Sequence, residues 1–330
     1  MTVLVTGGAG YIGSHVVREL EQRTEVVVVD DLSSGSADRV RGHEVVVLDL
    51  ADQSAPGRLQ EVMSTRGVDA VVHLAARKQV GESVQRPAWY YQQNVGGLAN
   101  VLLAMERAEV RELVFSSSAA VYGDVATGGR PVREDDPCQP VSPYGQTKLV
   151  GEWMCRAAGE AWDLRWTALR YFNVAGAATP ELGDPAATNL IPLVLRAVVA
   201  GQRPQIFGAD YDTPDGTCLR DYVHVQDLAR AHIAALEHVG SAGYGTTSHR
   251  EFNVGTGHGS SVSEVVSEIR RATGRTTDAE VVSRRPGDPA SVVADPGRIR
   301  ADLDWSAEHG LDEMVASAWR AWPHGHARVS

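Results

Sequence analysis

Lysine is nearly missing from this chain of 330 residues: among its 31 Lys and Arg residues only Lys78 and Lys148 are lysine. A coding preference for arginine explains the ratio but not the two exceptions. Cysteine is scarce as well. Cys138, Cys155 and Cys218 make an odd count without a CxxC or other ligand-type spacing, which argues against a disulfide scaffold and against zinc, so no metal site is expected. No apolar run approaches the roughly 18–20 residues of a membrane helix. The opening MTVLVTGG shows no basic, hydrophobic, small-residue leader, so a cytoplasmic protein without a membrane partner is expected. Basic runs are absent too. With 42 Asp and Glu residues the net charge is -11, so no global field gathers nucleic acid, and a phosphate ligand must be held by local arginines or by backbone. A small-molecule site is favoured.

What is present reads as a folded protein, with 43% hydrophobic and 22% charged residues and a length suited to two domains of about 100–200 residues each. Apolar, β-branched runs at Thr2 to Thr6, Glu25 to Val29, Glu44 to Leu48, Val68 to Leu74, Glu112 to Ser116 and Arg165 to Tyr171 alternate with helical stretches, among them Gly13 to Arg23 and Trp89 to Glu109. Strands that are apolar almost throughout suit a parallel sheet buried on both faces. The expectation is an α/β fold, a Rossmann-type doubly wound parallel sheet with a smaller C-terminal α/β lobe. Residues 1–172 would form the dinucleotide domain, with a return of the chain at 221–240, and 173–330 mainly the substrate lobe, where Gly, Pro and Asp loosen the composition.

Thr6 to Gly13, TGGAGYIG, stands between a strand and a helix, where Gly7, Gly10 and Gly13 can form a tight turn, admit a pyrophosphate and let the helix approach the sheet. Asp30 ends the second strand. A carboxylate there accepts hydrogen bonds from ribose hydroxyls and repels a 2′-phosphate, which favours NAD over NADP. Asp49 and Leu50, after the third strand, are candidate adenine contacts.

In SPYGQTKL, Tyr144 and Lys148 lie four residues apart and share a helix face. A phenol is a poor base at neutral pH, and an ammonium beside it stabilises the phenolate, so Tyr144 could exchange a hydroxyl proton while a hydride moves to or from a nicotinamide. Lys148 would also reach the nicotinamide ribose. FSSSAAVYG places Ser116, Ser117 and Ser118 at the C-terminal edge of the sheet, where ligands of open α/β folds bind.

With these motifs in place the chain resembles, over nearly its whole length, the extended short-chain dehydrogenase/reductase family and within it the UDP-glucose 4-epimerases. The segments that carry the likeness are TGGAGYIGSH, VVHLAARKQVGESVQRP, FSSSAAVYG, SPYGQTK, LRYFNVAGA, NLIP, DGTCLRDYVHVQDLA, FNVGTG and RRPGDPA. KQVGES, DGTCLRDYVHV and RRPGDPA point most specifically to enzymes of nucleotide sugars. The resemblance implies a retained NAD and a UDP-sugar substrate whose 4-hydroxyl gives a proton to Tyr144 and a hydride to the cofactor, with return of the hydride to the opposite face of the 4-keto sugar. By the same likeness Ser118 positions the 4-oxygen and Lys148 lowers the tyrosine pKa. Lys78 lies beside the cofactor diphosphate and the substrate, while Tyr11, Ile12, Leu74, Ala75, Ala76 and Phe172 lie against the cofactor. Arg220 and Arg285 would bind the substrate diphosphate, Asn173, Asn189 and Leu190 the substrate, and Gln205, Ile206 and Phe207 the uracil, with Asp288 in the closing loop. A homodimer is implied, built on helices near Trp89 to Glu109 and Gly145 to Ala161, with Leu149, Trp153 and Met154 as candidates for the apolar face.

Several positions depart from the family pattern. Gln93 stands for the first of two asparagines, Asn94 holding the second, and Ser34 replaces another asparagine near the adenosine. Val292 stands where a bulky aromatic narrows the pocket of enzymes confined to glucose and galactose, so N-acetylated UDP-hexoses could also fit. A 4,6-dehydratase would need an Asp and a Glu after Ser118, where Ala119 and Ala120 stand. A 4-epimerase of UDP-xylose or UDP-glucuronate, a net NAD-dependent dehydrogenase and a non-catalytic NAD-binding protein stay open at this stage.

Overall fold

A computed structural model describes residues 1–124, 129–186, 189–241, 250–276, 278–285 and 288–326. The first part of the chain alternates β1 (Thr2–Thr6), α1 (Tyr11–Leu20), β2 (Glu25–Asp30), β3 (Val45–Val47), α2 (Ala55–Arg66), β4 (Ala70–His73), α3 (Val80–Gln85), α4 (Pro87–Tyr90), α5 (Gly97–Arg107), β5 (Glu112–Ser116), α6 (Pro143–Trp162) and β6 (Arg165–Tyr171). Beyond it come β7 (Asn173–Ala175), α7 (Leu190–Val199), β8 (Gln205–Phe207), β9 (Leu219–His224), α8 (Val225–Gly240), β10 (Glu251–Val254), β11 (Gly259–Ser261), α9 (Val262–Thr273), β12 (Glu280–Val282), β13 (Ser291–Val292), α10 (Gly297–Leu303) and α11 (Leu311–His326).

Seven strands form one parallel sheet in the order β10-β6-β5-β4-β1-β2-β3. Apart from the edge strand β3, its strands are buried on both sides, and the period of two sorts their residues between two cores. Val3, Val5, Val28 and Val72 face α1 and α8, packing with Val16, Leu20, Leu228 and Leu236. Leu4, Val27, Val29 and Val71 face the opposite layer of α2, α5 and α6, with Leu59, Met105 and Cys155. This is the doubly wound Rossmann-type sheet. The chain returns to it with α8 and with β10, which pairs with β6 from Glu251↔Ala168 to Val254↔Tyr171.

The strand order reverses where β4 and β2 leave β1 on opposite sides, so the crevice of an open α/β sheet lies at the carboxyl ends of β1, β2 and β4. The expected single helix from Trp89 to Glu109 is instead α4, a π-helical stretch over Tyr91–Gly96, and α5. A π turn adds a residue and re-aims the side chains around it, and such turns cluster at functional sites. This one carries Gln93 and Asn94. The second lobe holds a small sheet with β9 between β11 and β13, β7 also pairing with β9, and a β8–β12 pair. Its core gathers Leu195, Tyr222, Val265, Ile269 and Val315 from α7, β9, α9 and α11.

Candidate active site

The glycine turn is shaped by contacts that exclude side chains. Gly7 adopts φ +71, and a Cβ there would sit 2.7 Å from the Ala75 nitrogen; a Cβ on Gly13 would sit 2.1 Å from the Gly7 carbonyl. Gly7 N–H donates to Val29 O at 2.8 Å and Gly10 N–H to Gly7 O at 3.2 Å. Helix α1 starts with no acidic residue in its first turn and no side chain capping it, so its amide end is left for an anion. Asp30 accepts from the Ala9 amide at 3.0 Å and the Leu32 amide at 2.8 Å. Burial pushes its carboxyl up, and these two hydrogen bonds oppose the rise.

One cleft gathers almost all of the residues expected around a dinucleotide. The turn contributes Gly7, Gly10, Tyr11, Ile12 and Gly13, and the ends of β2 and β3 contribute Asp30, Ser34, Asp49 and Leu50. Leu74, Ala75, Ala76 and Lys78 come from the loop after β4, Gln93 from the π stretch, and Tyr144 and Lys148 from α6. Phe172 is the one left out: it packs inside with Val121, Tyr122, Leu149 and Ala294, while its neighbour Tyr171 lines the cleft. Along a strand successive side chains point to opposite faces, so the two cannot both look into it.

Three consecutive serines at the end of β5 do three jobs. The Ser116 carbonyl accepts from Lys148 Nζ at 2.8 Å, Ser117 Oγ donates to Glu152 at 2.6 Å, and Ser118 Oγ accepts the Ala120 amide at 3.2 Å. Helix α6 begins at Pro143 with Ser142 as its cap, accepting Gly145 N–H at 3.2 Å, which presents Tyr144 and Lys148 on one buried face. The ammonium lies 6.0 Å from the centre of the Tyr144 ring and 5.2 Å from that of Phe115. Burial pushes it down to about 8, with Glu152 opposing. Burial also raises the Tyr144 phenol, and a hydrogen bond with Ser118 offsets part of that rise. The expectation was a phenol lowered by Lys148. In the protein alone desolvation governs the phenol instead, and the lysine directs a proton at a carbonyl.

A second cleft adjoins the first at the start of α6 and is lined by Ser142, Asn173, Asn189, Leu190, Gln205, Phe207, Arg220, Arg285 and Asp288 among others. The Arg285 guanidinium stacks 3.7 Å from the centre of the Phe207 ring, and Arg220 Nη2 lies 3.5 Å from Asp288 Oδ1. Asn173 donates to Asp221 O at 3.1 Å and Asn189 to Asp184 Oδ2 at 3.2 Å. Ile206 turns away from this cleft into the core of the lobe, as alternation along β8 requires. Val292, opposite Arg220 on β13, packs partly buried beside Phe172 and Tyr122. Of the apolar candidates on α6, Leu149 and Met154 pack inward, and Trp153 is 55% exposed.

Sequence reading passed over Asp31, Arg77 and Tyr171, which line the first cleft, and Glu152 and Arg170, which support it from behind. Asp31 and Arg77 were in view only as neighbours of Asp30 and Lys78. The doubled DD and RK at two strand ends were the available signal.

Comparison with known proteins decides the family. Residues 3–255 match the family model described as "NAD dependent epimerase/dehydratase family". The chain belongs to that family. A UDP-glucose 4-epimerase of Azospirillum brasilense is 46% identical over 96% of the chain and 90% of its own length. The crystal structure of UDP-glucose 4-epimerase from Brucella ovis in complex with NAD superposes with a TM-score of 0.90 at 42% identity, over 98% of each chain. A UDP-Glc/GlcNAc 4-epimerase from Campylobacter jejuni is similar with a TM-score of 0.82 at 36% identity, over 97% of this chain and 98% of that one. For an epimerase/dehydratase family member the glycine cradle, the open amide end of α1 and the Asp30 carboxylate fit a dinucleotide: a Cβ at Gly7 or Gly13 would collide with backbone that shapes this cradle.

Proposed function

We propose that the protein is an NAD-dependent 4-epimerase that interconverts UDP-glucose and UDP-galactose through a transient 4-keto sugar. The observation that carries this reading is the buried Ser118, Tyr144 and Lys148 set, of which Tyr144 and Lys148 line the cleft built on the glycine turn, beside a second cleft that holds Arg220 and Arg285. When bound, NAD supplies the hydride acceptor and a positively charged ring. Tyr144 takes the proton of the sugar 4-hydroxyl as the C4 hydride leaves and returns it when the hydride comes back to the other face, so the reaction has no net redox change. Ser118, already bonded to the phenol, holds the 4-oxygen in line. Lys148 keeps a positive charge beside the forming phenolate, and its bond to Ser116 O fixes its position. Arg220 and Arg285 neutralise the substrate diphosphate, with guanidinium matched to phosphate oxygens.

The reading extends to three finer points. N-acetylated UDP-hexoses are accepted, on the likeness to the Campylobacter jejuni enzyme; Val292 lines neither cleft and packs beside Phe172 and Tyr122. The protein works as a homodimer through α5, α6 and the π stretch, whose Tyr91, Leu103 and Trp153 stand exposed. Its place is the cytoplasm, in keeping with three free cysteines; among the described residues no helix is long and apolar enough to cross a membrane. Incubation with UDP-galactose, without added NAD, should yield UDP-glucose, and absence of conversion would remove the central claim. UDP-N-acetylgalactosamine run in parallel should also be epimerised, and sedimentation should give twice the chain mass of 35.4 kDa.

A further inference from the structure

Arg77 builds a bridge that the proposed reaction does not need. Its guanidinium reaches Asp31 Oδ2 at 2.6 Å and Gln93 Oε1 at 3.1 and 2.9 Å, and donates a third contact to the Ser33 hydroxyl. The Trp89 ring lies beneath it, 5.2 Å from centre to Cζ. Its backbone is pinned on both sides, N–H to Asn94 Oδ1 at 2.8 Å and carbonyl from Asn94 Nδ2 at 3.0 Å, and Asn94 in turn donates to Thr147 on α6 at 3.0 Å.

Sheet order gives this bridge its direction. Arg77 follows β4, Asp31 and Ser33 follow β2, and β1 lies between those two strands. Neighbouring strands are about 4.8 Å apart, so a side chain joining the outer two must cross about 10 Å over the carboxyl end of β1. That is where β1 runs into the glycine turn. A dinucleotide with its ribose at Asp30 and its diphosphate over Gly10 lies against this crossing.

We infer that Arg77, paired with Asp31 across the carboxyl end of β1, is a latch that keeps the dinucleotide from leaving by closing the adenosine side of its cleft. The inference rests on the proposed use of NAD. Both charges are about a quarter exposed, at 21% and 26%, so the pair can open and close at modest cost in a way a fully buried one cannot. Gln93 and Ser33 hold the guanidinium fork in register, a task a lysine ammonium cannot share between two loops. Gln93, which departs from the family's asparagine, thereby gains a use: its longer amide reaches the guanidinium.

The test is the rate at which bound NAD leaves the purified holoenzyme, followed by nucleotide content of the protein fraction over time after dilution. Arg77→Leu and Asp31→Asn should each raise this rate about two- to fivefold, the effect of losing a partly exposed ion pair. The double variant should be no worse than either single one, and Arg77→Lys should fall between. Raising salt should speed release from the wild type and not from the variants. Wild-type rates in both single variants, or effects that multiply in the double variant, would overturn the latch. Wild-type protein that retains no NAD and epimerises nothing would overturn the functional reading with it, an outcome distinct from equal release rates. Asp31→Asn keeps the shape and, through its one amide oxygen, the Ser33 contacts while losing the acceptor for Arg77, so the comparison stands even where Arg77→Leu folds poorly.

Discussion

Arg170 grips both carboxylate oxygens of Glu152 inside the protein, at 2.9 and 2.7 Å, one helical turn along α6 from Lys148. Both side chains are almost fully buried, and Ser117 adds a third hydrogen bond to the same carboxylate. Burial alone would lower the arginine, but Glu152 outweighs it and holds the guanidinium charged. The pair joins α6 to β6 and thus fixes the helix that presents Tyr144. Removing one partner strands the other charge in the interior, so Glu152→Ala should cost about 3–5 kcal/mol in denaturant unfolding. Glu152→Ala combined with Arg170→Met should recover most of that loss. A double variant as unstable as the sum of two single ones would show that the ion pair is not what the interior depends on.

Tyr144→Phe removes one oxygen from a buried phenol whose hydrogen-bond partner is Ser118. Turnover should fall by at least about a hundredfold, the range for loss of a general acid and base. Retained NAD and the unfolding midpoint should stay close to wild type. Near-normal turnover would take Tyr144 out of the reaction.

Lys148 makes a pH-dependent claim. Its ammonium is pushed down by burial from 10.5 to about 8, while the unfolded chain keeps the ordinary lysine value. Between those values the unfolded state binds more protons, so stability rises with pH across that window; below about 8 the buried charge costs its full amount. Nucleotide-free wild type should therefore gain stability from about pH 8 to 10, and Lys148→Met should lack this gain. At pH 7 Lys148→Met should be more stable by about 1–3 kcal/mol yet nearly inactive. Lys148→Arg keeps the charge but brings a broad fork into a space bounded by Phe115, Tyr144 and the Ser116 carbonyl, so its turnover should drop as well. A wild-type stability that falls between pH 8 and 10 would contradict the sign.

The parts of this architecture that sequence made legible are those governed by local rules. Runs such as TVLVT and EVVVVD must be buried strands, and TGGAGYIG between a strand and a helix reads as a turn whatever surrounds it. Tyr144 and Lys148 share a face by helix geometry alone. The pairing of Arg77 with Asp31 depends on strand order, which no local pattern encodes. The π stretch was equally hidden: YQQNVG has ordinary helical character, and its extra residue is fixed by Asn94 bonding the Arg77 backbone and Thr147. Glu152 and Arg170 meet only once β6 and α6 are packed together, which no local pattern encodes. Strand alternation alone separates Ile206, in the core, from Gln205 and Phe207, which line the second cleft.

Two glycines of one turn should separate folding from cofactor binding. A Cβ on Gly13 would lie 2.1 Å from the Gly7 carbonyl and 2.7 Å from Gly8 Cα, both backbone atoms that cannot swing aside. Gly13→Ala must therefore push α1 off the turn, with an expected loss of about 1–3 kcal/mol or more and of NAD together. Gly10 differs. Its φ of −78 and ψ of −178 suit any residue, and its Cβ would meet only Gly7 O at 3.2 Å. It lines the cleft, so a methyl group there takes space from the diphosphate and leaves the packing behind it alone. Gly10→Ala should keep the unfolding free energy of nucleotide-free protein within about 1 kcal/mol of wild type while weakening NAD binding. Equal destabilisation by both changes, measured by urea unfolding beside NAD titration, would show that the turn acts on the fold alone.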